Sequence, residues 1–563
     1  MKKYLTLILF VVFSVASFGQ TESNTYIIKF KDKSNSKFSI AEPRMYLSDR
    51  SIERRLLQQI PLNETDLPVN PDYLNEVKQS GGDIFYTSKW LNLTIARVDK
   101  PEVVTRIRNL PFVKEITSAE LIKQKKNTPF LKNFFQSEKF QKIDAPKTMV
   151  VKSGTSGFDY GVAANQVQML KVDQLHSQGY TGKGMIIGVM DAGYCNANNL
   201  NVFDSLFLNN RILGTRDFVQ PGNNVYNPNL STHGTMVLST MGANLPGQMV
   251  GTAPHASYYL FRTEDADDEY LMEEYYWVAA AEYADSLGVD VFNTSLGYTT
   301  FPNYPSDNHT YSDMDGNTTP ITIGADLAAS KGILVVNSAG NSGGSPWLYI
   351  SAPADGDSVL AVGAVDPNGI YAGFSSIGPT SDGRTKPDVM AQGGPAAVVY
   401  PFSGDLVYFN GTSFSSPILC GAATCLWQAN PDFNNMQIIQ AIKQSASISA
   451  GPNNYYGWGI PDMMMAHSIL VGNNDHVPFN SIIKCYPNPF TDFIVAEFYI
   501  PTIDQVELVL FNSQGTVLKK YTGKTLNTGE NHIKLENLSL LPRGIYFLQI
   551  STPWEKITHK IIK

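Results

Sequence analysis

The sequence predicts an α/β fold: a mostly parallel sheet with helices on both faces, preceded by a small α+β domain and followed by a small all-β sandwich. Three observations predict it. Between residues 158 and 470, short apolar runs alternate with longer amphipathic stretches, the pattern of a parallel sheet buried between helices. Residues 20–123 interleave alternating and helical segments, as in a compact split βαβ unit. From 482 to 563 only short alternating runs and turn residues remain. A chain of 563 residues has room for about three domains.

In chain order, residues 1–19 read as a secretory signal peptide. Lys2 and Lys3 precede an apolar run over 4–16, and Ser17-Phe18-Gly19 offers a small-residue cleavage site. That run is too short for a stable membrane anchor, and no later stretch is long enough to span, so no transmembrane segment is expected. In the 20–123 domain, strands are predicted at 26–30, 85–86, 91–98 and 113–116, and helices at 48–58, 73–79 and 101–109. Residues 124–157, rich in lysine, serine and glycine, read as an exposed linker with a maturation site. In the 158–470 domain, strands are predicted at 185–190, 291–293, 333–336 and 359–365, and amphipathic helices at 271–287 and 321–330. A second linker follows at 471–481. Strands at 493–499, 505–512, 531–535 and 545–551 make up the terminal sandwich.

Composition narrows the function classes. The formal charge of −8 and pI near 5.6 argue against a nucleic-acid partner. The charge is uneven: +6 over residues 21–150, −18 over 151–481 and +2 over 482–563, so the first two pieces should attract each other. Four cysteines, with no CxxC pair and no HExxH, give neither a disulfide framework nor a zinc site. Cys420 and Cys425 fall in a small-residue run and read as apolar fillers.

Four glycine-marked turns carry chemistry. They are Met190-Asp191-Ala192-Gly193, Ser231-Thr232-His233-Gly234-Thr235, Ser338-Ala339-Gly340-Asn341 and Asn410-Gly411-Thr412-Ser413. Taken singly, each has an ordinary account as a cap or turn. Together they supply a nucleophile with its base, a carboxylate to orient the base, and an amide for an oxyanion. Asp191 and Asn341 fall at the ends of apolar strands, where ligands of such sheets bind. Ser413 stands at a helix N-terminus that favours developing negative charge, with Pro417 expected in the tolerant first turn.

The order Asp191, His233, Asn341, Ser413 resembles that of subtilisin-like serine peptidases. The likeness is local at every turn, and extends to Gly251-Thr252-Ala253-Pro254 and Asn293-Thr294-Ser295-Leu296-Gly297. Phe414-Ser415 replaces the more usual methionine and alanine. The resemblance implies a subtilisin-like catalytic domain at 158–470, with catalytic Asp191, His233 and Ser413 and oxyanion residue Asn341. It also implies an extended polypeptide substrate beside Ser295, Leu296 and Gly297, facing Ser338, Ala339 and Gly340. These small wall residues suggest a roomy, apolar pocket for large uncharged P1 side chains. An α/β-hydrolase esterase fits less well, because Gly411-Thr412-Ser413-Phe414-Ser415 lacks the second glycine of GxSxG.

The same resemblance makes 20–123 a prodomain that assists folding and inhibits its own enzyme, similar to those of secreted subtilases from Bacteroidetes-type bacteria. Tyr486-Pro487-Asn488-Pro489-Phe490, Gly544-Ile545-Tyr546 and Lys560-Ile561-Ile562-Lys563 resemble a C-terminal sorting domain, with the type IX secretion machinery as partner. An accessory glycan-binding sandwich is the alternative there. The expected product is a secreted or cell-surface endopeptidase made as a self-processed zymogen. The other readings are a catalytically silent surface binding protein and a processing enzyme with a single substrate. No cofactor is required for the chemistry. Glu264, Asp265, Asp267, Asp268 and Glu269 form an acidic run, read as a solvated loop, a rim for basic substrates or a calcium site, with no metal ligand assigned.

Overall fold

The computed structural model describes residues 24–119, 157–472, 484–500, 504–526, 529–551 and 556–563. The expected signal peptide and most of both linkers lie outside the described residues.

The N-terminal unit runs β1 (Asn24–Phe30), α1 (Asp49–Leu57), α2 (Pro71–Gln79), β2 (Asp83–Ser88), β3 (Leu93–Val98), α3 (Pro101–Arg108) and β4 (Val113–Ala119). Its sheet has the order β2-β3-β1-β4, with β3 antiparallel to both neighbours, which is the split βαβ arrangement. Helix starts follow cap chemistry: Ser48 accepts from the Ser51 N–H at 3.2 Å, and Pro71 and Pro101 open α2 and α3. Strand alternation gives the sheet two apolar faces. Ile28, Phe30, Ala96 and Val98 pack in the unit's own core, whereas Ile27, Leu93 and Ile95 join a core of the next domain.

That domain contains α4 (Ala164–Gln168), α5 (Val172–Ser177), β5 (Ile186–Asp191), α6 (Asp204–Leu208), β6 (Ile212–Asp217) and α7 (His233–Gly242). A hairpin of β7 (Asn244–Leu245) and β8 (Met249–Val250) leads to β9 (Ser257–Arg262), α8 (Met272–Leu287), β10 (Val291–Thr294), α9 (Pro320–Ser330), β11 (Leu334–Ser338) and β12 (Val359–Val365). Then come β13 (Val389–Gln392), β14 (Ala396–Val399), β15 (Leu406–Phe409), α10 (Thr412–Ala429), α11 (Asn435–Gln444) and α12 (Met463–Gly472). Seven strands form a parallel sheet in the order β13-β12-β11-β10-β5-β9-β6. Both faces are covered: Ile187 and Val189 of β5 enter one core, and Ile186 and Met190 the other. Of the seven, β6, β9 and β13 were not among the expected strands. β6 is a half-exposed edge strand, and β9 holds two tyrosines where an apolar run was sought.

The C-terminal unit pairs β16 (Lys484–Tyr486), β17 (Ile494–Ile500) and β20 (Gly529–Leu535) in one sheet. The other joins β18 (Asp504–Asn512), β19 (Val517–Leu526), β21 (Ile545–Ser551) and β22 (Lys556–Ile562). Ile494 and Ala496 from the first share a core with Leu508, Leu510, Leu548 and Ile550 from the second, so the two sheets form a sandwich. No described helix is long and apolar enough to cross a membrane.

The opposite charges of the first two units meet at a seam between α1 and α8. Arg54 Nη2 lies 2.5 Å from Asp285 Oδ1, and Arg55 Nη2 bridges Asp285 at 2.9 Å and Asp66 at 2.7 Å. Lys331 reaches Asp66 at 3.2 Å, and Lys89 reaches Asp285 at 3.5 Å. All but Lys89 are almost fully buried. Burial alone would raise the Asp285 carboxyl, but Arg55, Lys89 and Arg54 outweigh it and hold the group well below the usual range. One turn earlier on α8, Glu282 accepts from Ser88 Oγ at 2.5 Å and from the Lys89 and Trp90 N–H groups at 3.0 Å. Its pKa is raised by burial.

Candidate active site

The first strand of the parallel sheet, β5, has β10 on one side and β9 on the other, so later strands extend the sheet in both directions from it. Its carboxyl end is where a crevice opens in such sheets. Asp191 is the last residue of β5, and its Oδ1 accepts from the Ala192 N–H at 2.7 Å. His233 is the first residue of α7. Its Nδ1 lies 2.9 Å and 3.0 Å from the two Asp191 oxygens, and both residues are fully buried. This approach requires glycine next door: a Cβ on Gly234 would sit 2.4 Å from the Gly193 carbonyl oxygen and 3.0 Å from Asp191 Cβ. Beneath, the Tyr194 hydroxyl donates to the Val189 carbonyl at 2.6 Å. Burial, with the Asp191 charge adding, pushes its pKa well above the usual value, so it stays a donor.

Ser413 is the second residue of α10, which is buried along nearly its whole length. Pro417 lies inside this helix rather than in its first turn. Its missing N–H would have bonded the carbonyl four residues back, which belongs to Ser413. Ser295 Oγ takes that place, donating to the Ser413 carbonyl at 2.9 Å, while Ser413 Oγ lies 3.3 Å from the Ser295 carbonyl. The ring of Phe414 stands 6.1 Å from the His233 ring, so the serine turn and the histidine helix meet.

Asn341 follows β11 by three residues. Its Oδ1 accepts from both the N–H and the hydroxyl of Thr412 at 2.9 Å, and Thr412 Oγ1 also accepts from the Gly340 N–H at 3.2 Å. Gly340 has φ +103°, which favours glycine. Thr412 went unnoticed as a clamp, although it stands beside the serine in the motif itself. Ser295, Leu296 and Gly297 leave β10 on one side of Ser413, and Ser338, Ala339 and Gly340 leave β11 on the other. All four turns therefore converge.

The acidic run is not solvated. Glu264, Asp265, Asp268 and Glu269 are buried, and only Asp267 of the five is exposed. Carboxylate oxygens of Glu264, Glu269 and Glu273 lie within 4.8 Å of one another. Glu273 accepts from the Asp265 and Tyr270 N–H groups at 2.7 and 3.2 Å, and the Tyr298 hydroxyl donates to Glu264 at 2.6 Å. These bonds close the loop onto the start of α8, where the helix dipole favours acids. Cys420 and Cys425 are fully buried, with thiol pKa values pushed far up by burial, and serve as packing.

Comparison with known proteins gives three family matches along the chain. Residues 182–459 match the subtilase family, 25–132 the peptidase S8 propeptide domain of Bacteroidota, and 484–563 a secretion system C-terminal sorting domain. Subtilisin NAT of Bacillus subtilis subsp. natto is 32% identical over 303 residues, covering 53% of this chain and 70% of that protein. Subtilisin DY of Bacillus licheniformis is 32% identical over 297 residues, covering 52% of this chain and 94% of that protein. Among solved structures, the epidermin leader peptide processing serine protease of Staphylococcus aureus shares the fold. It has a TM-score of 0.50 and 17% identity, covering 80% of this chain and 99% of that one.

Proposed function

Because this chain belongs to the subtilase family of serine endopeptidases, and carries a propeptide and a type IX sorting domain that directs it to the cell surface or beyond, we propose that Asp191, His233 and Ser413 are its catalytic triad and that Asn341 completes the oxyanion hole. The observation that carries this reading is the His233–Asp191 pair at 2.9 and 3.0 Å, set against the turn that bears Ser413. Asp191 takes the Nδ1–H, which leaves Nε2 as the ring atom that removes the Ser413 proton. Ser413 Oγ then attacks the scissile carbonyl, His233 returns the proton to the departing amine, and water releases the acyl group by the reverse route. Thr412 holds the Asn341 oxygen from its N–H and its hydroxyl and so fixes which way the amide lies, and the role assigned to the Asn341 amide NH2 is to donate to the oxyanion together with the Ser413 N–H. Eighteen residues of α10 add the positive end of a helix dipole. An extended substrate would lie along Ser295, Leu296 and Gly297, with its P1 side chain between these and Ser338, Ala339 and Gly340.

The seam supports self-inhibition, since it holds the prodomain against the catalytic domain, and self-processing is the reading that the zymogen layout favours. A fluorophosphonate tests the site directly: mass spectrometry of the secreted, processed form should find the adduct on Ser413. Unlabelled mature protein would instead favour the silent binding reading. The Ser413→Ala chain should keep its prodomain when purified alone, and normal maturation of that variant would end the self-processing claim.

A further inference from the structure

A third segment enters the space between the two walls beside Ser413. A Cβ built on Gly297 would lie 2.1 Å from Ser351 Oγ, and one built on Gly340 would lie 3.1 Å from the same atom. One hydroxyl thus stands against a glycine of each wall, in the room that their missing side chains leave. Its backbone is tied down. The next residue, Ala352, exchanges N–H···O bonds of 2.9 and 3.2 Å with Tyr298, and the Ser351 carbonyl accepts from the Ala354 N–H at 2.8 Å. Ile350 and Ala354, on either side, pack with Ala339 and Ala361 in a small apolar cluster that leaves the hydroxyl little room to retreat. Ser351 is 5% exposed, and its Oγ has no hydrogen-bond partner among the described residues. Buried hydroxyls normally find a partner, so an orphan Ser351 hydroxyl set against both walls suits a group that arrives with the substrate.

We propose that Ser351 is the primary specificity residue: it shortens the P1 pocket so that alanine- and serine-sized side chains are accepted, serine best because its hydroxyl can bond the Ser351 oxygen, while large apolar side chains are excluded. This rests on the peptidase reading above. It reverses the expectation of a roomy pocket, which counted small residues on two walls as open space and did not include the segment that fills it. Ser351 acts on the substrate side chain and takes no part in proton transfer.

The test uses the processed enzyme and its Ser351→Gly and Ser351→Ala variants. All three are titrated with a fluorophosphonate and assayed on one peptide series that differs only at P1: Ser, Ala, Leu or Phe. The wild type should cleave Ser and Ala with kcat/KM about 10-fold or more above Phe, the size of discrimination a steric pocket gives. Ser351→Gly should raise Phe about 10-fold, and Ser351→Ala should narrow the Ser-to-Ala ratio without admitting Phe. A wild type that prefers Phe or Leu overturns the proposal, as does a Ser351→Gly enzyme with an unchanged profile. Should the glycine variant fail to label, the wild-type profile and Ser351→Ala still decide. Failure of every preparation to label would overturn the peptidase reading itself, whereas labelling with the wrong P1 order would overturn this proposal alone.

Discussion

At the crevice, Asp191 and His233 are the ionisable side chains in contact, and what surrounds them is neutral: glycine turns, amides, hydroxyls and the end of α10. At the seam with the prodomain, Arg54, Arg55, Lys89, Lys331, Asp66 and Asp285 are packed together. The difference follows from what each region must do. A reacting site needs dipoles fixed in advance and aimed at charge that has not yet formed. A docking seam needs only to recognise one partner, and a buried ion pair discriminates well because removing either member strands the other.

The largest expected effect lies at the proposed nucleophile. Ser413→Ala should lower kcat by about six orders of magnitude, the size known for a subtilisin triad, while prodomain affinity stays unchanged. If docking weakened as well, the two regions would not be independent. Asn341→Ala should cost about 10²–10³ in kcat, again a subtilisin magnitude, with little change in KM.

The reciprocal variant is Asp285→Ala. It leaves Arg54 and Arg55 facing each other and should weaken docking of a separately made prodomain by about 3–5 kcal/mol, with kcat of the free enzyme untouched. Calorimetric titration reads the first and peptide hydrolysis the second. Acid sharpens the same point. Asp285 sits below its free-state value near 4 when docked, so its contribution is complete above about pH 4 and fades as pH falls further. Glu282, raised by burial, has the opposite sign and gains its proton more easily in the complex. Asp285→Asn should therefore flatten the acid-induced loss of docking, and Glu282→Gln should leave it in place. The smallest effect concerns the serine helix: Ser295→Ala leaves the Ser413 carbonyl without the hydroxyl that replaces Pro417's absent N–H. A loss of about 1–3 kcal/mol in a denaturant titration is expected.

The crevice was legible because each of its residues sits in a turn with its own local signature, and the family resemblance joined the four. The prodomain helices were legible from their periodicity, although the second starts at Pro71, two residues before the expected start. The seam was visible only as a charge imbalance. Arg54 and Asp285 are 231 residues apart, and neither lies in a motif that points to the other. Pro417 misled because a proline near a helix start reads as a first-turn residue, and the hydroxyl that compensates for it comes from Ser295, in the segment after β10. Ser351 was not legible: the two walls were assigned from the family resemblance, and nothing local says that its hydroxyl stands against a glycine of each.

The burial of the seam has a bench consequence. Pairs this well shielded from solvent are poorly screened by added electrolyte, so a freshly cut prodomain should travel with its enzyme through a high-salt column as a nicked two-chain complex. A brief acid wash, followed by anion exchange that exploits the departure of the +6 segment, is the gentler way to part them.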